Sequence, residues 1–363
     1  MSSRRAIAKV GGLVGLVSAG AAVAVSAQRR SIGRMRAAPD PHAEVTFGEL
    51  TPDRTYTVTT DDGVGLAVQE VGEPDAPLVA IFVHGYTLAQ GSWHYQRLGL
   101  ADLTSPRVRL VFYDQRSHGR SDRAPSDSCE VEQLGRDLDA VLRAAADQRP
   151  VALIGHSRGG MAVMALADLR PELFGTQVRG VALLSTTTGG LAELELGLPK
   201  VFSRLTLAAM PVFSRGLKAR PLLAELTRRT GADLSWALTR QLGFGDRAVS
   251  PALVDYVGQM IADTPVEVVA DFFATLMGND SVQALPALRA VETLILCGDR
   301  DRLTPLAHSQ AMKDELPDAE LVVVGGAGHL AMMERPELVN LRLRAFLHRA
   351  SKRWRRAGAR RRA

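Results

Sequence analysis

Two cysteines in 363 residues cannot make a disulfide framework. Cys297 closes an apolar run and Cys129 sits near a helix start, so both read as packing residues. Metal-ligand spacing, a phosphate-cradling P-loop and internal repeats are all missing, and no metal or other cofactor is expected. Acidic residues are absent from both ends: residues 1–36 hold seven Lys or Arg, residues 349–363 hold eight, and neither segment has an Asp or Glu. Without those segments 29 basic side chains stand against 39 acidic ones, so the net charge of +5 describes the tails and the middle is negative by about 10. A body of that sign is a poor partner for nucleic acid, and none is expected.

What is present is the material for one large α/β core with an insertion: 46% hydrophobic residues over a length that fits such a domain. Arg54 to Thr60 and Val64 to Val71 flank Asp61-Asp62-Gly63, a turn signal between two alternating strands. Further apolar runs recur near Leu78–Val83, Val108–Tyr113, Val151–Gly155, Val178–Ser185, Thr293–Cys297 and Leu321–Val324. Helical patterning fills the gaps: Val131, Leu134, Leu138, Val141 and Leu142 share one face of a helix beginning near Ser128. Strands alternating with helices predict a mostly parallel sheet.

The most informative ten residues are Val151-Ala-Leu-Ile-Gly-His-Ser-Arg-Gly-Gly160, an apolar strand turning into a small-residue helix through Gly155-His156-Ser157-Arg158-Gly159. In that setting G-x-S-x-G is a nucleophile elbow: a strained turn lifts the serine clear of the sheet edge, and glycines on either side permit close passage. A serine hydroxyl is a poor nucleophile at neutral pH, so a histidine must take its proton and a carboxylate must orient that histidine. The expected chain order is serine, acid, histidine. Of eight histidines only His308, His329 and His348 follow Ser157. His348 lies among Arg344, Arg349 and Lys352, and His308 sits in the first turn of a helix after Pro305. His329 follows the strand and glycine-rich loop Leu321-Val-Val-Val-Gly-Gly-Ala-Gly328 and is chosen as the base. The acid is taken from the end of the preceding strand, where Asp299 and Asp301 compete. Asp301 is chosen, with Asp299 capping the turn. The oxyanion hole is assigned to the backbone N–H groups of Arg158 and of Tyr86, in the loop after Leu78–Val83. His84 orders that loop by hydrogen bonding, and His156 is read as structural, on the opposite side of the strand from Ser157.

With these sites in order, the chain resembles the α/β-hydrolase family from about residue 45 to 350. The resemblance rests on His84-Gly85, Asp114-Gln-Arg116-Ser-His-Gly119-Arg-Ser121, the Ser157 elbow, Gly298-Asp-Arg-Asp301 and Gly328-His329. It implies a mostly parallel eight-stranded sheet with helices on both faces and a helical cap inserted after strand six. A serine nucleophile separates this chain from the epoxide-hydrolase and haloalkane-dehalogenase branches, which use an aspartate. Tyr86-Thr-Leu-Ala after Gly85, in place of a glycine-rich run, points away from C–C bond hydrolases. What remains is acyl transfer to water by a carboxylesterase-like or lipase-like enzyme or a thioesterase, with ester and thioester not distinguished by the sequence. A C–C hydrolase, a peroxidase-like reaction and a catalytically inactive binding protein are the alternatives.

The stretch between Thr188 and Pro286 has no clear strand and is rich in Leu205, Leu207, Met210, Phe213, Trp236, Phe244, Met260, Phe272, Phe273 and Met277. An apolar lid over a water-excluded serine favours a hydrophobic ester as substrate. The substrate-binding candidates are His84, Gly85, Tyr86, Phe213 and Met260. The chain thus divides into a basic and apolar segment (1–36), a core (45–187 and 287–348), a helical cap (188–286) and a basic tail (349–363).

Val10 to Ala27 is an uncharged run of eighteen residues, just long enough to span a bilayer although Gly and Ala dominate it. Arginines 29, 30, 34 and 36 after it favour an uncleaved anchor with a cytoplasmic-facing core. Val25-Ser26-Ala27 supports a cleaved signal and a secreted or cell-envelope product instead, and a soluble chain is the third reading. The tail, one tryptophan (Trp354) among eight cations, is either a solvated end or a patch for an anionic membrane surface. Nothing in the sequence sets the oligomeric state.

Overall fold

The computed structural model describes residues 30–37, 39–191, 233 and 235–362, with side chains as far as Lys352. Eight strands form one sheet: β1 (Arg54–Thr59), β2 (Gly65–Val71), β3 (Leu78–Val83), β4 (Val108–Tyr113), β5 (Val151–His156), β6 (Val178–Leu184), β7 (Glu292–Gly298) and β8 (Glu320–Val324). Their order is β1-β2-β4-β3-β5-β6-β7-β8, antiparallel at the first two pairings and parallel from β4 onward. All eight strands fall where the apolar runs put them. Every residue of β3, β4 and β5 is buried, as a strand covered on both faces requires, whereas edge strand β1 alternates.

The helices divide between the two faces. On one face α2 (Val131–Ala146), α3 (Arg158–Leu169) and α6 (Leu306–Glu315) bury Leu134, Leu138, Met161 and Met312 with Leu153 and Ile295 of the sheet. On the other, α1 (His94–Leu100) and α7 (Pro336–Arg362) bury Leu100, Val339, Leu343 and Phe346 with Phe82, Ile154 and Leu296. All five apolar positions predicted for one face of α2 are buried. The basic tail continues α7 as far as Arg362. Between β6 and β7 the described residues hold no strand. They form a helix over 235–243, then α4 (Pro251–Asp263) and α5 (Val266–Met277). Among the described residues no helix is long and apolar enough to cross a membrane. The run Val10–Ala27 lies outside them, as do Leu205, Leu207, Met210 and Phe213.

From β3 the chain moves to β4 on one side and then crosses to β5 on the other. The carboxyl ends of β3 and β5 therefore border a topological switch point, the crevice where ligands bind in open α/β sheets. Backbone strain collects along this edge. Thr87, Ser117, Ser157 and Ser185 all have positive φ (58°, 62°, 53° and 46°) and follow β3, β4, β5 and β6 respectively.

Arg116, in the loop after β4, ties the antiparallel edge to α2. Its Nε and Nη2 donate to the two Asp137 oxygens at 2.6 Å each, and Nη1 and Nη2 donate to Asp62 in the β1–β2 turn at 2.8 and 3.0 Å. Hydrogen bonds from Arg116 hold the Asp62 carboxyl down at about 2. A depressed folded-state pKa adds stability that is complete above the ordinary value of 3.8 and disappears as pH falls toward about 2. Wild type should be more stable than Asp62→Asn near neutrality, with the gap closing between about pH 4 and pH 2 in acid titrations followed by circular dichroism. An offset unchanged across that window would contradict the assignment.

Candidate functional site

Ser157 occupies the corner between β5 and α3 with φ 53° and ψ −120°. Only a small neighbourhood tolerates that corner. A Cβ on Gly155 would lie 2.6 Å from the Gly159 carbonyl oxygen, and one on Gly159 would strike the Val83 carbonyl. The corner is fastened to the next strand: Ser157 N–H donates to the Leu184 carbonyl at 2.9 Å, and the Ser157 carbonyl accepts from Thr186 Oγ1 at 2.7 Å and Gly160 N–H at 2.8 Å. As first residue of α3, Arg158 has an N–H with no intrahelical acceptor. The N–H of Tyr86 likewise makes no hydrogen bond among the described residues.

The loop carrying Tyr86 is held by its neighbour after β4. Gln115 N–H donates to His84 Nε2 at 2.9 Å, so His84 Nδ1 donates to the Gly85 carbonyl at 2.8 Å. Burial, with the charge of Arg158, lowers the His84 pKa to about 3 and keeps the ring neutral. Asp114 accepts from Gln90 N–H and Nε2 and from Arg120 N–H at 2.7 to 3.0 Å. The motif beginning at Asp114 therefore acts on the loop after β3, the strand next to β5 and Ser157.

Asp301 follows β7 and His329 follows β8. His329 Nδ1 lies 2.9 and 3.1 Å from the two Asp301 oxygens, an Nδ1–H donor geometry that leaves Nε2 as the free nitrogen. The carboxylate also accepts from Leu303 N–H and Thr304 N–H at 2.9 Å and from the Thr304 hydroxyl at 2.7 Å. Burial pushes the Asp301 carboxyl up, but the neighbouring His329 and these donors outweigh it and hold it below the usual value. Asp299 accepts from Gly326 N–H at 2.7 Å, a turn contact. His308 pairs through Nδ1 with the Thr187 hydroxyl at 2.8 Å. His156, read as lying on the side of the strand away from Ser157, is buried with its ring edge-on to Trp93 and its Nε2 donating to the His329 carbonyl at 3.0 Å, and it is also among the residues lining the cavity that holds Ser157.

Ser157, His329, Tyr86 and Arg158 line one cavity of about 650 Å³, with Met161, Leu191, Leu242, Phe273, Leu276 and Met277 among its apolar walls. In this conformation no hydrogen bond joins the Ser157 hydroxyl to His329. Such contacts are often long until substrate binds. Of the substrate-binding candidates, Tyr86 is in the wall. His84 and Gly85 lie behind it, since His84 is wholly buried and Gly85 is pressed against His156, whose Nδ1 a Cβ would meet at 2.7 Å. Met260 faces the core, while Val257 and Ile261 of the same helix reach the cavity. Phe213 lies outside the described residues. Among the described residues no cluster of three or more His, Cys, Asp or Glu could hold a metal ion.

Two residues were not foreseen. Thr304 braces Asp301, a role hinted at by Asp-x-x-Thr just ahead of a helix-starting proline. Glu334 left no local signal. Its buried carboxylate accepts from Gly328 N–H at 2.7 Å and from the N–H groups of Gly245 and Asp246, joining the His329 loop to the inserted segment.

The sequence pattern of the alpha/beta hydrolase family matches residues 80–342. The chain is 28% identical to the non-heme chloroperoxidase of Streptomyces lividans over 80% of its length and 99% of that protein. It is 25% identical to the AB hydrolase superfamily protein YisY of Bacillus subtilis over 80% of its length and 98% of that one. It spans only 48% of the longer EphD of Mycobacterium tuberculosis, at 26% identity over 80% of this chain. Among solved structures, a thermophilic esterase from Thermogutta terrifontis superposes with TM-score 0.63 at 26% identity, covering 82% of this chain and 99% of that one.

Removing the Glu334 carboxylate should leave several N–H groups without acceptors. Glu334→Ala is expected to lose about 1–3 kcal/mol in urea denaturation, and a loss below about 0.5 kcal/mol would show the contacts to be dispensable.

Proposed function

Because the chain belongs to the alpha/beta hydrolase family, we propose that this hydrolase cleaves carboxylic esters of hydrophobic, lipid-like acids through a serine acyl-enzyme. The observation that carries the reading is the buried Asp301–His329 hydrogen bond at the wall of the cavity that also holds Ser157 at its strained corner. In the proposed reaction His329 Nε2 removes the Ser157 proton as Oγ attacks the ester carbonyl. The Tyr86 and Arg158 N–H groups receive the oxyanion, where such donors contribute about 3–4 kcal/mol each to the barrier. His329 returns the proton to the departing alcohol, and a water activated by the same nitrogen then frees the acid. Asp301 keeps the ring in its Nδ1–H tautomer and stabilises its cationic form.

Residues 188–286 serve as a cap in this reading. Its described helices contribute Leu238, Leu242, Val257, Ile261, Phe273 and Met277 to the cavity. A wall of that kind favours an apolar acyl group and excludes water from the intermediate. The likeness to a chloroperoxidase supports a second reaction at the same serine, in which hydrogen peroxide replaces water as acceptor of the acyl group and a peracid is released.

A fluorophosphonate probe should label Ser157 in the folded protein, and 4-nitrophenyl esters of increasing chain length should be hydrolysed. Ser157→Ala should abolish both, and Asp301→Asn should lower kcat by on the order of 10⁴-fold. Folded protein that takes no label and turns over no ester would remove the proposal.

The two basic ends, with the apolar run Val10–Ala27, support attachment of the enzyme to an anionic membrane surface. Full-length protein should sediment with anionic vesicles. A chain lacking residues 1–36 should remain bound only at low salt, through its C-terminal cations. Protein left in the supernatant under both conditions would rule the attachment out.

A further inference from the structure

Arg158 contributes its N–H to the cavity wall, yet its side chain has no evident reason to be charged where it lies. The residue is wholly buried, and among the described residues neither Nε nor Nη1 has an acceptor. Nη2 has one neighbour, His118 Nδ1 at 3.4 Å. That nitrogen lies 2.8 Å from the Arg116 carbonyl, which can only accept, so it carries a proton and cannot accept from Arg158. Asp137, the acid whose charge reaches the guanidinium, has both oxygens committed to Arg116. Burial lowers the Arg158 pKa to about 10, which still leaves the guanidinium charged at neutral pH. Two rings lie over it, Phe272 at 4.4 Å and Tyr86 at 5.5 Å from the guanidinium carbon, and the uncharged side chains of Tyr113 and Cys129 are also within reach of its field. Arg116, in the loop after β4 at the same edge of the sheet and equally buried, shows the contrast: it meets two carboxylates.

A buried cation without a counter-charge is costly to the fold and marks a place where charge is supplied from outside. Both rings that cover it connect to the cavity. Tyr86 is itself in the wall and donates its hydroxyl to the Val269 carbonyl of α5. Phe272 belongs to α5 as well, next to the lining residue Phe273. Arg158 is itself among the residues that line the cavity, and α5 carries both Phe272 over the guanidinium and Phe273 in the wall.

We propose that the Arg158 guanidinium is the receptor for a carboxylate carried on the acyl part of the substrate, so that the preferred esters are half-esters of medium-chain dicarboxylic acids. This rests on the reading of the cavity as an ester site and narrows its substrate class. The apolar walls hold the methylene chain, and the far carboxylate supplies the charge that the fold leaves out.

The test compares 4-nitrophenyl hydrogen adipate, suberate and sebacate with the neutral 4-nitrophenyl hexanoate, octanoate and decanoate on the full chain. Wild type should favour the charged ester at one chain length by on the order of tenfold or more, mainly through KM, as a charge-assisted pair would give. Arg158→Met should erase that preference, Arg158→Lys should keep part of it, and Arg158→Met should melt at the same or a higher temperature than wild type. Equal preference in wild type and Arg158→Met would overturn the proposal. So would a lower melting temperature for Arg158→Met with the ratio unchanged, which would make the guanidinium a structural cation. Calorimetric titration of Ser157→Ala with methyl hydrogen suberate and with dimethyl suberate separates binding from chemistry. Tighter binding of the charged ester with no turnover in wild type would sink the esterase reading alone, whereas turnover of neutral esters without charge preference would sink this inference alone.

Discussion

The left-handed backbone of Ser157 is the constraint around which the carboxyl edge of the sheet is arranged. A residue with a Cβ at φ 53° costs on the order of 1–3 kcal/mol and persists only where its surroundings over-determine it. Here they do. Ser157 N–H and carbonyl bond to the end of β6 and to the segment just beyond it, and the flanking glycines let the Val83 and Gly159 carbonyls pass where a side chain would collide. Hydrogen bonds worth about 1 kcal/mol each are enough to offset such strain. The return on it is geometric. The hydroxyl stands clear of the edge, and the Arg158 N–H is left without a partner inside the helix.

Charge around this corner is distributed with the same economy. Asp301 is deeply buried and remains ionised because His329, two backbone N–H groups and a threonine hydroxyl all donate to it. His84 and His156 are pushed by burial to about 3, so each acts as a neutral hydrogen-bonding ring that holds a loop in place. Arg116 is matched by Asp62 and Asp137. Arg158 departs from this pattern as a fully buried cation that meets no acid among the described residues.

Glu334 joins the inserted segment to the loop that presents His329. One carboxylate holds the N–H of Gly328, next to His329, together with those of Gly245 and Asp246 in the inserted segment. Leu330 N–H bonds to the Gly243 carbonyl at 2.8 Å beside them. The helix over 235–243 thus ends on the loop that presents His329.

Strand positions and the corner at Ser157 were legible in the sequence because each is a local property. Runs of β-branched and apolar residues bounded by turn signals set the first, and Gly-x-Ser-x-Gly between a strand and a helix sets the second. Asp301 and His329 could be picked out as the ends of the last two such runs. Which side chains meet was a different question. Thr304 against Asp301, Glu334 against Gly245, His156 against the His329 carbonyl and the solitary Arg158 depend on distances between residues as many as 173 positions apart. Periodicity specifies the face a residue presents, but only the packed sheet determines which buried polar groups find partners there and which are left without.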